Sequence, residues 1–168
     1  ILAAGESMGT VKFSGFYTDE VLRGDKRIGF DVVTIPEGRR GVLSRKSREG
    51  QFATCPRVGA YSVDVSTFEQ LALPTLCPDD PENTIVVIDE IGRMELKSDA
   101  FKNAIEVLLR DPHRRVFGAI TAPIYGHRVP FCDSITDKTD LVETHRIKKS
   151  NRDEVARVLL EKLRLSWT

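Results

Sequence analysis

Hydrophobic residues in the first third of the chain follow a β-strand pattern. Two runs rich in aromatic and β-branched residues, at positions 15–21 and 27–35, stand on either side of the polar sequence LRGDK. Such residues fit a pleated, half-buried surface, and the Gly-Asp pair between the runs is a common turn sequence, so this pattern predicts a β-hairpin. Two further short strands are predicted at 41–44 and 61–65, separated by the polar loop RKSREGQFATCPRVG.

Helical spacing alternates with apolar strands in the rest of the chain. The sequence STFE, from Ser66 to Glu69, has the form of a capping box and predicts a helix that runs through Leu73 and ends at Pro74. Apolar residues recur every three or four positions over 98–110, and a last helix is predicted from Asn151 onward. Further strands are predicted at 85–88, 116–120 and 142–147.

This alternation indicates the fold class. Strands that are apolar on both faces and alternate with amphipathic helices are typical of a parallel sheet covered by helices. We therefore predict an α/β fold with three layers, α/β/α, around a mostly parallel sheet that contains one antiparallel hairpin. A chain of 168 residues has the size of one ordinary domain, so residues 1–168 are expected to form a single domain.

An acidic pair, Asp89 and Glu90, follows the apolar strand at 85–88. In a parallel α/β sheet the ligand site lies beyond the carboxyl ends of the strands, which is where this pair is placed. One carboxylate there can hold hydrated Mg²⁺ against the phosphates of a nucleotide, and the next can deprotonate an attacking water. The alternative is a solvated charge pair at the end of a buried strand.

Composition limits the classes of partner. Lys and Arg number 25, as do Asp and Glu, so no overall charge favours nucleic acid, and no apolar run is long enough to span a bilayer. The three cysteines form no CxxC pair and the start has no signal-sequence pattern, so we expect a cytoplasmic or nuclear protein that is not secreted. A monomer is expected as well. The basic residues of the polar loop are either a phosphate-facing patch or a solvated surface: Arg45, Lys46, Arg48 and Arg57.

The string IDEIGRMEL, at 88–96, resembles the Walker B segment of a family of small nucleoside-triphosphatases that includes thermophilic enzymes and the vertebrate cancer-related nucleoside-triphosphatase. Other segments resemble this family in the same order, and the resemblance extends over 11–163: SGFYTDEV, KRIGFDVVT, GVLSR, RVGAYSVDVSTFEQLALPTL and NRDEV. It implies a P-loop NTPase-type sheet and an enzyme that hydrolyses ATP, GTP and other nucleoside triphosphates to diphosphate and phosphate. Broad base specificity and dependence on Mg²⁺ are implied as well.

The resemblance also implies roles for individual residues. Asp89 would bind the metal and Glu90 would be the general base. Asn151 and Arg152 match the family's Asn-Arg pair near the nucleotide base, although a helix N-cap explains Asn151 equally well. Glu95 is interpreted as structural, because the chemistry does not require a third acid.

Two residues of the segment TAPIYGHRVP, at 121–130, are further candidates. Relatives have a basic, lid-like loop here, so Arg128 would be either an internal arginine finger or an exposed loop arginine. Thr121 would either contact the attacking water or serve as a hydrogen-bonded hydroxyl at the end of a strand.

The phosphate-binding motif of such enzymes, GxxxxGK[ST], does not occur in the sequence. The nearest string, GESMGT at 5–10, has the wrong spacing and no lysine. We therefore expect a family member that lacks the N-terminal strand and the Walker A loop and has little or no activity in this form. The alternative is a non-catalytic, NTPase-like domain that acts in protein interaction.

Overall fold

The computed structural model describes residues 11–47, 49–123 and 128–165. Its strands are β1 Lys12–Arg23, β2 Lys26–Ile35, β3 Arg40–Arg45, β4 Arg57–Val58, β5 Tyr61–Val63, β6 Thr84–Ile91 and β7 Arg115–Ile120. Its helices are α1 Val65–Thr75, α2 Asp99–Arg110, α3 Pro130–Thr136 and α4 Arg152–Leu165, with short 3-10 helices at Gly50–Phe52 and Glu95–Lys97. Among the helices of these ranges, none is both long and apolar enough to cross a membrane.

The strands form one mixed sheet in the order β4-β5-β3-β2-β1-β6-β7. Strands β1, β6 and β7 are parallel to their neighbours within this group, and β1 pairs with β2 in the predicted antiparallel hairpin. The antiparallel part is larger than predicted, because four of the six neighbouring pairs in the described sheet are antiparallel. The parallel group contains the end of β6, where the acidic pair lies.

Three aromatic rings join the sheet to two helices on one face. Phe16 of β1, Phe68 of α1 and Phe101 of α2 are buried and meet edge to face, with ring centroids 5.2–5.8 Å apart. Edge-to-face contacts add to the stabilisation from burying such large apolar surfaces. On the other face Leu163 of α4 packs against a smaller apolar cluster that includes Ile85. Helices therefore cover both faces of the sheet, as in a three-layer fold.

Two local predictions were wrong. Helix α1 is capped by Asp64, whose carboxylate accepts a hydrogen bond from the Thr67 N–H at 3.0 Å, and not by Ser66. An aspartate two residues earlier takes the N-cap position, and the helix continues past Pro74 to Thr75 because a proline in the last turn breaks few helical hydrogen bonds. Residues 142–147 form no strand. Local contacts order this segment instead, including pairs from Glu143 to His145 and Lys162.

Candidate active site

The acidic pair lies within β6, near its carboxyl end. The strand was predicted to end at Ile88, but it continues to Ile91, which is buried and pairs with Ile120 of β7. The register between β6 and β7 shifts between Ile88 and Ile91, so Asp89 and Glu90 occupy the irregular step. Such irregularities turn side chains out of the regular alternation of a strand and are common next to active sites.

Thr121, the first residue after β7, forms a hydrogen bond with Glu90. The Thr121 hydroxyl donates a hydrogen bond to Glu90 Oε1 at 3.4 Å, and the Thr121 N–H donates to the carbonyl of Ile91 at 3.1 Å. Burial raises the pKa of the Glu90 carboxyl and the nearby charge of Asp89 raises it further, whereas the Thr121 hydroxyl lowers it. Glu90 is therefore a half-buried carboxylate with a stronger affinity for protons than an exposed glutamate.

Asp89 pairs in register with Tyr17 of β1 and is exposed. The pKa of its carboxyl is raised because the protein excludes part of the surrounding water. Its oxygens are the kind of ligand that Mg²⁺ prefers, and an exposed position leaves room for the water ligands that this ion retains. The residue therefore fits the metal-binding role that the resemblance implies.

A cleft of about 370 Å³ opens beside Glu90. Glu90, Glu95 and Thr121 line one part of it, and apolar side chains that include Phe30 and Met94 line another. The carboxyl groups thus face a concave, partly apolar surface. Glu90 therefore differs from a solvated charge remote from any cleft, whereas Asp89 is exposed and is not one of the residues that line this cleft.

Glu95 is the cleft residue whose position the sequence did not reveal. It lies on the 3-10 helix that follows β6 and is only 3% exposed. Burial raises the pKa of its carboxyl to about 8, the charges of Glu90 and Asp89 raise it as well, and backbone hydrogen bonds at Glu95 and Gly92 oppose this rise. The available signal was an acid between two apolar residues, Met94 and Leu96.

Gly92 provides the space in which the two glutamates meet. A Cβ atom at this position would overlap Glu90 Oε1 and would lie 3.0 Å from Glu90 Cδ and 2.8 Å from Glu95 Oε2. The two carboxyl groups therefore lie within about 6 Å of each other, close enough for each charge to affect the other. A side chain at position 92 could not be accommodated unless one of the carboxyl groups moved.

The remaining candidates lie in other surroundings. Arg128 is 68% exposed, and its Nε pairs with Asp133 Oδ2 of α3 at 3.0 Å. The side chain of Asn151 orders the loop before α4, since Oδ1 accepts from the Lys148 N–H at 2.7 Å and Nδ2 donates to the Arg146 carbonyl at 3.1 Å. Arg152 is exposed and pairs with the adjacent Asp153 at 3.5 Å. The nucleotide-binding roles of Arg128, Asn151 and Arg152 stay predictions.

Three residues of the basic loop contact other parts of the protein. Arg45 Nη2 pairs with Asp31 at 2.5 Å, Arg57 Nη1 donates to the Ser62 hydroxyl at 2.8 Å, and Lys46 lies over the ring of Tyr61. Arg48 lies outside the described residues. The sequence suggested either a phosphate-facing patch or a solvated surface for this loop, and neither alternative predicted these contacts within the protein.

The known proteins that this chain is similar to are named nucleoside-triphosphatases. A family model described as NTPase matches residues 3–160. The cancer-related nucleoside-triphosphatase of Homo sapiens is 42% identical over 151 residues, which are 86% of this chain and 77% of that protein. The nucleoside-triphosphatase THEP1 of Thermotoga maritima is 31% identical over 152 residues, 90% of this chain and 81% of that protein.

A solved structure confirms the fold class. The solution structure of a human cancer-related nucleoside triphosphatase matches with a TM-score of 0.77 and 39% identity, and the match covers 98% of this chain and 89% of that one. The extent of the family model and the identity of these relatives over most of both chains lead to one conclusion: this chain belongs to the nucleoside-triphosphatase family.

Proposed function

We propose that this protein hydrolyses nucleoside triphosphates to diphosphate and phosphate, with Glu90 as the general base and Asp89 as the ligand of Mg²⁺. The observation that carries the proposal is the half-buried Glu90 carboxylate, which faces a cleft at the end of a parallel strand and accepts a hydrogen bond from Thr121. The names of the relatives support nucleoside triphosphates as the substrate class. ATP, GTP and other bases would be accepted alike, as the resemblance implies.

In this proposal Glu90 accepts a proton from water as the water oxygen bonds to the γ-phosphorus. The bond between the γ-phosphorus and the bridging oxygen breaks, and the nucleoside diphosphate leaves. Because burial and the charge of Asp89 raise the pKa of the Glu90 carboxyl, its carboxylate is a stronger base than an ordinary one. Thr121 keeps one carboxylate oxygen in place, or it contacts the attacking water directly.

Asp89 would hold the magnesium ion, which when bound neutralises the charge of the β- and γ-phosphates. Arg128 would act on the γ-phosphate only after leaving Asp133, since its guanidinium is engaged there. Asn151 and Arg152 would lie near the nucleotide base. The roles of Arg128, Asn151 and Arg152 depend on where the nucleotide binds.

We further propose that the 168-residue polypeptide is a weak catalyst by itself. Its sequence contains no GxxxxGK[ST] loop, whose amides and lysine neutralise the phosphates in P-loop enzymes. Asp89 and Glu90 then meet a polyanion with their own negative charge. Turnover should therefore fall well below the roughly 10 s⁻¹ that is typical of enzymes.

Phosphate release from ATP and GTP, with and without Mg²⁺, tests both statements. Glu90→Gln should lower the release rate by about a hundredfold or more, the range of a general base, and should leave the fold intact. Glu69→Gln is the matched control, because Glu69 accepts a hydrogen bond from Ser98 away from the cleft. Release that is unchanged in Glu90→Gln contradicts the assigned base. Turnover at or above roughly 10 s⁻¹ contradicts the proposal that this polypeptide is a weak catalyst. Release no faster than the blank contradicts hydrolysis by this polypeptide and favours the interaction-domain alternative.

A further inference from the structure

The cleft beside Glu90 is larger than the hydrolysis of a nucleotide requires. Its volume is about 370 Å³, whereas a single water molecule occupies roughly 30 Å³. Binding sites for small molecules start at about 300 Å³ and are lined mostly by apolar side chains with a few polar groups among them. The cleft therefore has room for a nucleophile much larger than water next to the carboxylate that is proposed as the general base.

The cleft joins a polar side to an apolar side. Glu90 of β6 and Thr121 after β7 contribute hydrogen-bonding groups on one side. Three apolar side chains come from strands on the other side of β1 in the sheet: Phe30 of β2, Leu43 of β3 and Val58 of β4. Leu43 is 1% exposed, and the other two are half-buried. A ligand with a hydroxyl at one end and an apolar body at the other matches this division.

The position of the base indicates which reactant faces the apolar surface. In phosphoryl transfer the attacking and leaving oxygens lie roughly in line, on opposite sides of the γ-phosphorus. A general base contacts the attacking oxygen, so the cleft that Glu90 lines lies with the attacking group. The purine or pyrimidine is on the leaving side, beyond the ribose and two phosphates. Asp89, the proposed ligand of the metal on those phosphates, does not line the cleft.

We propose that this cleft binds a small alcohol whose apolar body includes an aromatic ring or a chain of similar size, and that the protein transfers the γ-phosphoryl group to this alcohol as well as to water. The alcohol oxygen forms the new bond to the γ-phosphorus, and its proton passes to Glu90. The bond from the γ-phosphorus to the bridging oxygen breaks, and its electron pair leaves with the nucleoside diphosphate. The products are a phosphate monoester and the diphosphate. The inference rests on the proposed function, because it uses the same donor and the same base.

Phosphorus NMR of reactions with ATP and Mg²⁺ measures the ratio of phosphate monoester to inorganic phosphate. Ethanol and 2-phenylethanol at equal concentration are the probes, since both have a primary hydroxyl and they differ by a phenyl group. Burial of a phenyl group strengthens binding by roughly tenfold to a hundredfold, so 2-phenylethanol should give at least about tenfold more monoester per phosphate than ethanol. Equal ratios contradict recognition of an apolar body. Phosphate release with no monoester from 2-phenylethanol overturns the proposal.

Two variants of the cleft test where the alcohol binds. Ala122 is exposed and lines the cleft, so Ala122→Phe places a ring there without replacing a core residue. It should lower the ratio for 2-phenylethanol by about tenfold or more, and Val58→Asp, which puts a charge on the apolar side, should do the same. Val107→Phe is the matched control, because Val107 is 67% exposed on α2 and does not line the cleft. An unchanged ratio in Ala122→Phe and in folded Val58→Asp contradicts binding in this cleft.

Glu90→Gln tests whether one base serves both reactions. It should lower the formation of monoester and of phosphate together, since water and the alcohol would pass their protons to the same carboxylate. Loss of phosphate release with monoester formation unchanged contradicts that role of Glu90 in the transfer to the alcohol.

The methyl resonances of Met94 and Leu43, two residues that line the cleft, report binding without turnover. Titration with 2-phenylethanol should shift both resonances to saturation and leave those of Val107 in place, and the absence of saturable shifts overturns the proposal. The products separate the two proposals. Phosphate without monoester contradicts the acceptor role alone, and monoester without phosphate supports that role while it contradicts hydrolysis. If neither product forms above the blank, the proposed function fails and the acceptor role fails with it.

Discussion

Glu95→Gln should stabilise the folded protein at neutral pH. The substitution keeps the size and shape of the side chain and retains an acceptor for the backbone N–H groups near Gly92 and Glu95. It removes a group that must carry a proton to stay buried, because the pKa of Glu95 is about 8 in the folded chain against 4.5 for an ordinary glutamate. The effect on stability follows from this difference between the folded and unfolded states.

The direction of the pH dependence is set by the raised pKa. Below pH 4.5 both states are protonated, and the folded state keeps its full stability. As pH rises from 4.5 toward about 8, the unfolded chain releases this proton and the folded chain does not, at a cost of about 1.4 kcal/mol per pH unit. At pH 7 the cost is about 3 kcal/mol, and above pH 8 it reaches a plateau near 5 kcal/mol.

Urea unfolding of wild type and Glu95→Gln at several values between pH 5 and pH 9 measures this effect. The wild-type free energy of unfolding should fall with pH relative to the variant, and the two curves should differ by about 3 kcal/mol at pH 7. Glu69→Gln serves as the control and should follow the wild-type curve. If the free energy of unfolding falls by the same amount between pH 5 and pH 8 in wild type and in Glu95→Gln, the reasoning is refuted.

Three other substitutions have expected results of different kinds. Gly15→Ala should lower the free energy of unfolding, measured by urea titration, by more than about 3 kcal/mol, because Gly15 has φ +123° and a Cβ there would overlap the Val87 carbonyl oxygen. Gly24→Ala, where a Cβ would meet open space, should cost about 1 kcal/mol, and equal costs would contradict the role of the overlap with Val87. Asp31→Asn should lower the free energy of unfolding by about 1.5–3 kcal/mol in the same assay, since Asp31 is 8% exposed and pairs with Arg40 and Arg45. A decrease of less than about 0.5 kcal/mol would show that these ion pairs contribute little to stability. Thr121→Val should lower kcat several-fold because it removes the hydroxyl that donates to Glu90, whereas Thr121→Ser keeps the hydroxyl and should have a kcat near that of wild type. Equal kcat values in wild type and both variants would show that this hydrogen bond does not contribute to catalysis.

Local patterns predicted most of the elements and the location of the acidic pair in the sheet. The hairpin β1–β2, helix α2, and strands β6 and β7 were each indicated by the spacing or run of apolar residues within a few turns or strand repeats. The position of Asp89 and Glu90 near the end of β6 followed from the same reasoning. Helix α3 was not predicted, because its seven residues are too few to show a period.

The sequence by itself determined that an apolar strand delivers two acids to the carboxyl end of a parallel group of strands, since that information lies in neighbouring residues. Only the tertiary structure decided the register shift between Ile88 and Ile91, the burial of Glu95 and the need for empty space at Gly92. These features depend on packing between β6, β7 and the segment that follows β6. Hydrophobic periodicity records which side of an element is buried, but it does not record which groups from different elements meet there.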